Sequence, residues 1–226
     1  METIPAAGRA VTCFESGAAR NGPLFLLCSG QEGGSTVFEE TLSRTDRPFR
    51  LAVFPVENWE EELSPWEAKR VFRGGPDFGS GADDTVRRLT EEVLPALREA
   101  LGAPDAPCHV VGYSLAGLFA VYALCRTDAF AGAVSCSGSL WFPGFPEFCR
   151  ENAPIGRPEG VYFSLGDRES RTRNPVMAAV EENTAAVCRL FCERGYDAVF
   201  ELNPGGHFQD PEKRLAKGIA WMLNRA

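Results

Sequence analysis

The segment "CHVVGYSLAGLFAVYALC", Cys108 to Cys125, decides the fold because a strand pattern changes to a helix pattern within it. "HVVGY" is a short apolar run, which is typical of a strand buried on both faces. "LAGLFAVYALC" is a longer apolar run and predicts a buried helix. Ser114 stands at the junction, where Gly112 and Ala116 leave room for a tight turn. This arrangement predicts a nucleophile elbow, which lifts the serine hydroxyl above the carboxyl end of the strand.

Strand-like and helix-like runs alternate along the rest of the chain. Apolar runs predict further strands at 22–30, 49–56, 131–138, 160–166 and 197–203, and helical patterns predict further helices at 35–45, 82–102, 175–195 and 211–226. Pro95 should kink the second of these helices, and Gly102 should end it. The alternation predicts an α/β fold, with a mainly parallel central sheet and helices on both faces. At 226 residues, we expect residues 1–226 to form a single domain.

Composition and charge argue against several classes of function. The net charge is −8 and basic residues are not clustered, so we expect no nucleic-acid partner. We expect no signal peptide and no membrane association, because no apolar run has the necessary length. The eight cysteines contain no C-x-x-C pair, and only two histidines are present. We therefore expect buried, reduced thiols, a cytoplasmic location, and neither a metal nor a cofactor.

A serine needs a base to remove its proton, and histidine is the usual one. His207 lies in "NPGGHFQDP", a glycine-rich loop between the last strand and the last helix, where an α/β-hydrolase carries its catalytic histidine. His109 precedes Ser114 by five residues within the strand, so we expect it to be structural.

The histidine in turn needs a carboxylate that fixes its tautomer. "GVYFSLGDRESRTRN" supplies two candidates after a predicted strand, Glu169 and Asp167. We favour Glu169, because the acid in such loops usually lies a few residues beyond the glycine that ends the strand. Asp167 follows that glycine directly and remains the alternative, with bracing of the turn as its other role.

An oxyanion hole requires two N–H donors. The backbone N–H of Leu115, at the start of the predicted helix, is the first candidate. The second should come from "SGQEGG" after the 22–30 strand, with Gln31 favoured and Glu32 in reserve; a simple glycine turn is the other reading of this segment.

The chain resembles the Putative esterase family of α/β-hydrolases, the group that includes esterase D-like and ferric-enterobactin-type esterases, and it is most similar to compact bacterial members. The resemblance is carried by "LLCSGQEG", "ENWEEELSPWEAKRVFRGGPDFGSGADD", "VVGYSLAGLFAVYAL", "SCSGSLWFPGF", "SLGDRESRTRN" and "LNPGGHF". It implies an α/β-hydrolase fold with little or no lid and hydrolysis of a small-molecule ester through an acyl-enzyme. The family pattern maps its nucleophile to Ser114, its acid to Glu169 and its histidine to His207. Ala116 in place of glycine departs from that pattern.

Aromatic residues outside these motifs suggest a substrate pocket. Trp66, Trp141 and Phe142, with Trp59, could form an aromatic wall at the mouth of the site, although packing beneath a long loop is an equal alternative. Acyl transfer or peptide cleavage by the same three residues, and a non-catalytic binding domain, are the alternatives to ester hydrolysis.

Overall fold

A central sheet of eight strands organises the part of the chain that the structure describes. The computed structural model describes residues 1–17, 22–30, 33–71 and 74–225. The strand bounds are β1 Glu2–Ala6, β2 Arg9–Glu15, β3 Leu24–Ser29, β4 Arg50–Pro55, β5 Cys108–Tyr113, β6 Gly132–Cys136, β7 Gly160–Gly166 and β8 Ala198–Asn203. Their spatial order is β1-β2-β4-β3-β5-β6-β7-β8. The run from β4 to β8 is parallel, which confirms the mainly parallel sheet predicted from the sequence.

Helices cover both faces of the sheet, as predicted. Their bounds are α1 Gly34–Leu42, α2 Trp59–Glu62, α3 Ala82–Arg88, α4 Leu94–Ala100, α5 Leu115–Leu124, α6 Phe145–Glu151, α7 Pro175–Ala178, α8 Val180–Glu193 and α9 Pro211–Leu223. Successive side chains of a strand point to opposite faces, so each strand contributes to two cores. Leu26 packs in the core that contains Phe119 of α5, whereas Leu27 packs in the core that contains Ile219 of α9.

The antiparallel edge of the sheet was missed by the sequence analysis. β1 and β2 form a hairpin, and β2 pairs antiparallel with β4. Ala7 and Gly8 form the two-residue turn, with φ of 51° and 74°. Two positive φ values in succession are typical of the type I′ turn, which matches the twist of a hairpin. On β2, the buried apolar positions that alternate are only Val11 and Cys13. Two such positions are too few to identify a strand from the sequence.

Two predicted helices are interrupted. The helix predicted at 82–102 contains a π-helical turn, Leu89–Val93, and the N–H of Leu94 bonds to the carbonyl of Leu89. Pro95 has no N–H to donate, which explains why the regular pattern shifts just before it. The helix predicted at 175–195 divides into α7 and α8 at Ala179. Within the described ranges, no helix has the length and apolar content needed to cross a bilayer.

Helix α9 lies directly on the sheet at Gly218, which provides a test of the packing. A Cβ at this position would lie 2.4 Å from Cγ1 of Val134 and 2.7 Å from Cδ1 of Tyr162. We expect Gly218→Ala to lower the free energy of unfolding by about 1–3 kcal/mol, because overpacking outweighs the gain in helix propensity. Gly75→Ala is the control, since a Cβ at Gly75 meets nothing within 4 Å. Urea unfolding measures both variants, and unchanged stability of Gly218→Ala would contradict the close approach.

Candidate active site

Ser114 lies on a strained turn between β5 and α5. Its backbone has φ of 58° and ψ of −123°, which residues other than glycine rarely adopt. The turn needs Gly112, because a Cβ there would lie 2.1 Å from the carbonyl oxygen of Ala116. It also needs Gly117, whose Cβ would lie 3.0 Å from the Cα of Gly138. The residue that approaches the backbone after β6 is thus Gly117, directly after Ala116. The methyl group of Ala116 is fully buried in the core.

Ser114, His207 and Glu169 form a continuous chain of hydrogen bonds. Oγ of Ser114 lies 3.0 Å from Nε2 of His207, and Nδ1 of His207 lies 2.7 Å from Oε2 of Glu169. A carboxylate oxygen only accepts hydrogen bonds, so Nδ1 carries the proton and Nε2 can accept from the serine hydroxyl. The side chain of His207 is 28% exposed, so this chain of groups reaches solvent. The structure therefore brings together the three residues that the sequence predicted as a triad.

The carboxylate of Glu169 is buried but fully hydrogen-bonded. Its Oε1 accepts from the N–H of Gly166 at 2.6 Å and from the hydroxyl of Ser137 at 2.7 Å. Burial by itself raises the pKa of Glu169, but hydrogen bonds from His207, Gly166 and Ser137 outweigh it and hold the pKa below its usual value. The acid is therefore ionised at neutral pH and can orient an imidazole.

Arg214 also belongs to this site, although the sequence did not point to it. Its side chain is 3% exposed, and Nη1 lies 2.9 Å from Oε1 of Glu169. Nη1 also donates to the hydroxyl of Ser137 at 2.9 Å. An available signal was its place on α9, where it shares the spacing of Gly218 and Met222, both of which are buried. An arginine on the apolar stripe of a helix requires a buried partner, and here that partner is Glu169.

The same arginine fixes the loop that carries the histidine. Nη2 of Arg214 donates to the carbonyl oxygens of Pro204 at 3.2 Å and of Gly206 at 2.9 Å. From the other side, the hydroxyl of Tyr113 donates to the carbonyl of His207 at 2.5 Å. The loop is thus attached both to α9 and to the residue that precedes Ser114.

Asp167, the alternative acid, has a different set of contacts. Its Oδ1 accepts from the N–H of Gly205 at 2.9 Å, and its side chain is 50% exposed. Among the described residues, the carboxylate that bonds to His207 is Glu169. The structure therefore places Asp167 as a brace between the β7 and β8 loops.

Of the two predicted oxyanion donors, the first lies among the described residues. Leu115 begins α5, so its N–H is at the end of the helix where N–H groups have no partner within the helix. Gln31 and Glu32, the candidates for the second donor, lie outside the described residues.

A cleft of about 600 Å³ opens beside Ser114 and His207. Trp59, Tyr113 and Phe208 contribute its aromatic lining, and Glu57 and Glu212 contribute carboxylates. The remaining lining residues are small or aliphatic: Leu27, Ser29, Gly30, Gly33, Val37, Val56, Pro211 and Leu215. The cleft is large enough for a small organic ligand.

The predicted pocket residues Trp66, Trp141 and Phe142 do not line this cleft, which corrects the sequence analysis. Trp66 packs against Phe142 with ring centroids 5.8 Å apart, and its Nε1 donates to the carbonyl of Pro143 at 2.9 Å. Trp141 and Phe142 are buried in the larger core. Their large apolar surfaces are used in packing beneath the long connection, and Trp59 is the tryptophan at the cleft.

His109 and the cysteines contribute to the core. The ring of His109 stacks on Phe25 with centroids 5.0 Å apart, and burial lowers its pKa to about 4. Seven of the eight cysteines are buried, and Cys192 is exposed. Burial raises the pKa of Cys28 and Cys108 to about 12, which keeps these thiols protonated.

The sheet order and the strand–turn–helix at Ser114 define a protein of α/β-hydrolase fold. Residues 20–207 match the family described as "Putative esterase". The match covers most of the chain, so the chain belongs to this family of esterases, which are hydrolases. No curated protein sequence gives a significant match.

Solved structures with the same fold are similar over nearly the whole chain. The siderophore hydrolase EstA from Aspergillus nidulans has 17% identity and a TM-score of 0.74, over 95% of this chain and 89% of that one. The BES protein from Bacillus cereus has 17% identity and a TM-score of 0.69, over 96% and 90%. The enterobactin esterase FES from Shigella flexneri, solved in the presence of 2,3-di-hydroxy-N-benzoyl-serine, has 18% identity and a TM-score of 0.72, over 99% and 58%. At these identities the likeness shows the fold.

The buried ion pair yields a prediction for stability. We expect Arg214→Met to lower the free energy of unfolding at neutral pH by about 3 kcal/mol, because it removes the cation from a buried carboxylate. Chemical unfolding of the double variant with Glu169→Gln should show a smaller loss than the sum of the single losses, because the two side chains interact directly.

Lys213→Met is the matched control for this experiment. Lys213 is also on α9 and pairs with Asp210, but its side chain is 56% exposed. We expect a change of no more than about 0.5 kcal/mol. Additive effects of Arg214→Met and Glu169→Gln would contradict the pairing.

Proposed function

We propose that the protein is a serine esterase that hydrolyses a small-molecule carboxylic ester through an acyl-enzyme, and that residues 1–226 act as one domain. The observation that carries the proposal is the chain of hydrogen bonds from Ser114 through His207 to Glu169. Membership of the esterase family supports hydrolysis as the reaction. The burial of seven cysteines as free thiols supports a role in the reducing cytoplasm.

In the first half of the reaction, Oγ of Ser114 attacks the ester carbonyl while Nε2 of His207 takes the hydroxyl proton. The proton then passes from Nε2 to the leaving alcohol, and the acyl group stays on Ser114. Glu169 remains ionised and stabilises the imidazolium, because its negative charge lies 2.7 Å from Nδ1.

In the second half, water attacks the acyl-enzyme with His207 as the base, and the acid is released as Ser114 recovers its proton. The carbonyl oxygen carries negative charge in both tetrahedral intermediates. In the proposed mechanism the N–H of Leu115, at the start of α5, donates to it, with the support of the helix dipole. Gln31 remains the proposed source of the second N–H.

Reaction with a fluorophosphonate probe and hydrolysis of p-nitrophenyl butyrate test the nucleophile. We expect Ser114→Ala to remove labelling and to lower kcat by roughly 10⁴-fold or more, because the attacking oxygen is lost. Circular dichroism checks that the variant is folded. Equal activity of the native protein and Ser114→Ala, or absence of both labelling and hydrolysis in the native protein, would refute the proposal.

A pair of amide substitutions tests the acid. We expect Glu169→Gln to lower kcat by about 10³–10⁴-fold, because a neutral amide cannot stabilise the imidazolium in the same way. Asp167→Asn keeps an oxygen that can accept from Gly205, so we expect a change of no more than about twofold. Steady-state kinetics with the same ester compare the two, and the reverse order of effects would identify Asp167 as the acid.

A further inference from the structure

The charged side chains that line the cleft have one sign. Glu57 and Glu212 are both acidic, and within the described residues the lining includes neither lysine nor arginine. Glu212 is in the first turn of α9, with Oε1 3.7 Å from the position that a Cβ on Gly33 would occupy. Glu57 is next in sequence to Val56, another lining residue, and its side chain is 68% exposed. Glu57 and Glu62 together face Arg9 and Arg88, and Glu212 adds a further carboxylate, so the net charge beside the cleft is negative.

The aromatic lining also favours a positively charged ligand. Phe208 is 91% exposed, and its ring meets that of His207 edge-on, with centroids 5.0 Å apart and an interplanar angle of 90°. Trp59 lies against Gly30, where a Cβ would be 3.1 Å from its Cε3. The faces of such rings attract cations, and ammonium groups bind among aromatic side chains for this reason.

Two arginines near the cleft do not line it, and one of them, Arg9, pairs with the lining residue Glu57. Arg9, the partner of Glu57 at 3.4 Å, lies 2.7 Å from Glu62, and its own side chain is only 8% exposed. It also stacks over the ring of Phe54 at 4.9 Å. Arg214 is buried against Glu169. Both guanidinium groups form buried ion pairs and do not line the cleft.

We propose that the cleft selects an ester that carries a positive charge, such as an ammonium group, in the part held between the aromatic rings and Glu57 and Glu212. This inference rests on the proposed function of Ser114 as the nucleophile. The net charge of −8 over the whole chain acts in the same direction, because it attracts a cationic substrate toward the protein. An anionic ester of the same shape is disfavoured.

Esters matched in shape and different in charge test the proposal. In one series the charge is in the alcohol: butyrylcholine, its neutral isostere 3,3-dimethylbutyl butyrate, and 2-sulfoethyl butyrate. In the other it is in the acyl group, with aryl esters of 4-trimethylammoniobutyrate, 5,5-dimethylhexanoate and glutarate. In at least one series we expect kcat/KM to be on the order of tenfold higher for the cationic ester than for the neutral one. Equal or reversed preference in both series would overturn the proposal.

Salt and charge-neutral variants locate the origin of the preference. We expect it to weaken as the ionic strength rises from about 0.02 to 0.5 M, because salt screens charges in an open cleft. In the double variant Glu57→Gln/Glu212→Gln, the ratio of cationic to neutral kcat/KM should fall toward one. Glu193→Gln, on α8 and outside the cleft, makes the same chemical change and should leave the ratio and the activity as they are. An undiminished preference in the double variant would overturn the proposal.

Binding to Ser114→Ala separates this inference from the proposed reaction. Calorimetry with uncleaved butyrylcholine and with its neutral isostere measures selection of charge without chemistry. Tighter binding of the cationic ester together with no hydrolysis by the native protein would support the inference and refute the esterase. Hydrolysis of the cationic and neutral esters with equal kcat/KM, together with equal binding, would refute the inference and leave the proposed esterase in place.

Discussion

The ion pair between Arg214 and Glu169 connects the segments that form the site. Arg214 comes from α9, Glu169 from the loop after β7, and the carbonyls that also bind Arg214 come from the loop after β8. Ser137, which donates to the same carboxylate, follows β6. Three neighbouring parallel strands thus end around one guanidinium group. If that group were absent, the carboxylate would lack its cation and the His207 loop would lose two hydrogen bonds.

The sheet creates the conditions for this convergence. Parallel strands end at the same edge, so polar residues after β5, β6, β7 and β8 meet although they are far apart in sequence. The strained backbone of Ser114 is stabilised from outside, since its N–H bonds to the carbonyl of Cys136 at 3.0 Å and its own carbonyl accepts from Ser139 at 3.0 Å. Both partners belong to β6 or to the loop after it. The neighbouring strand therefore holds the turn in a conformation that the serine would not adopt alone.

The sequence was informative where local chemistry determines structure. The elbow around Ser114, the strands buried on both faces and the helix stop at Gly102, whose φ is +58°, each follow from short-range constraints. The pairing of His207 with Glu169 followed from chain order combined with the rule that parallel strands end together. Their catalytic roles stay predictions. Glu169 was favoured over Asp167 because it lies two residues farther from the glycine that ends β7. In the structure, the carboxylate of Glu169 is the one that bonds to His207.

The misses involve contacts between distant segments. Trp66, Trp141 and Phe142 are residue types that often line ligand pockets, but in the structure they pack in the core or against it. Only the path of the long connection distinguishes a pocket residue from a core residue here. The hairpin β1–β2 is stabilised by pairing with β4, so its own pattern is weak. Arg214 lies on a predicted helix, and its partner Glu169 is 45 residues away in sequence, on the loop after β7. In each case the decisive neighbour is tens of residues away in sequence.

Burial of an arginine and a glutamate together is expensive, and an apolar pair of similar volume is often as stable or more stable. The network around Glu169 therefore has to be understood through what it does to charge. Arg214 compensates the carboxylate that bonds to His207, so this part of the site is close to neutral. At the cleft, Glu57 shares the buried Arg9 with Glu62, and among the described residues no cation pairs with Glu212. The charge around Glu169 is thus balanced by Arg214, and the charge of the cleft is set separately by Glu57 and Glu212. In the proposal of a charge-selective cleft, this separation lets the preference change through Glu57 and Glu212 while the contacts of Ser114, His207 and Glu169 stay the same.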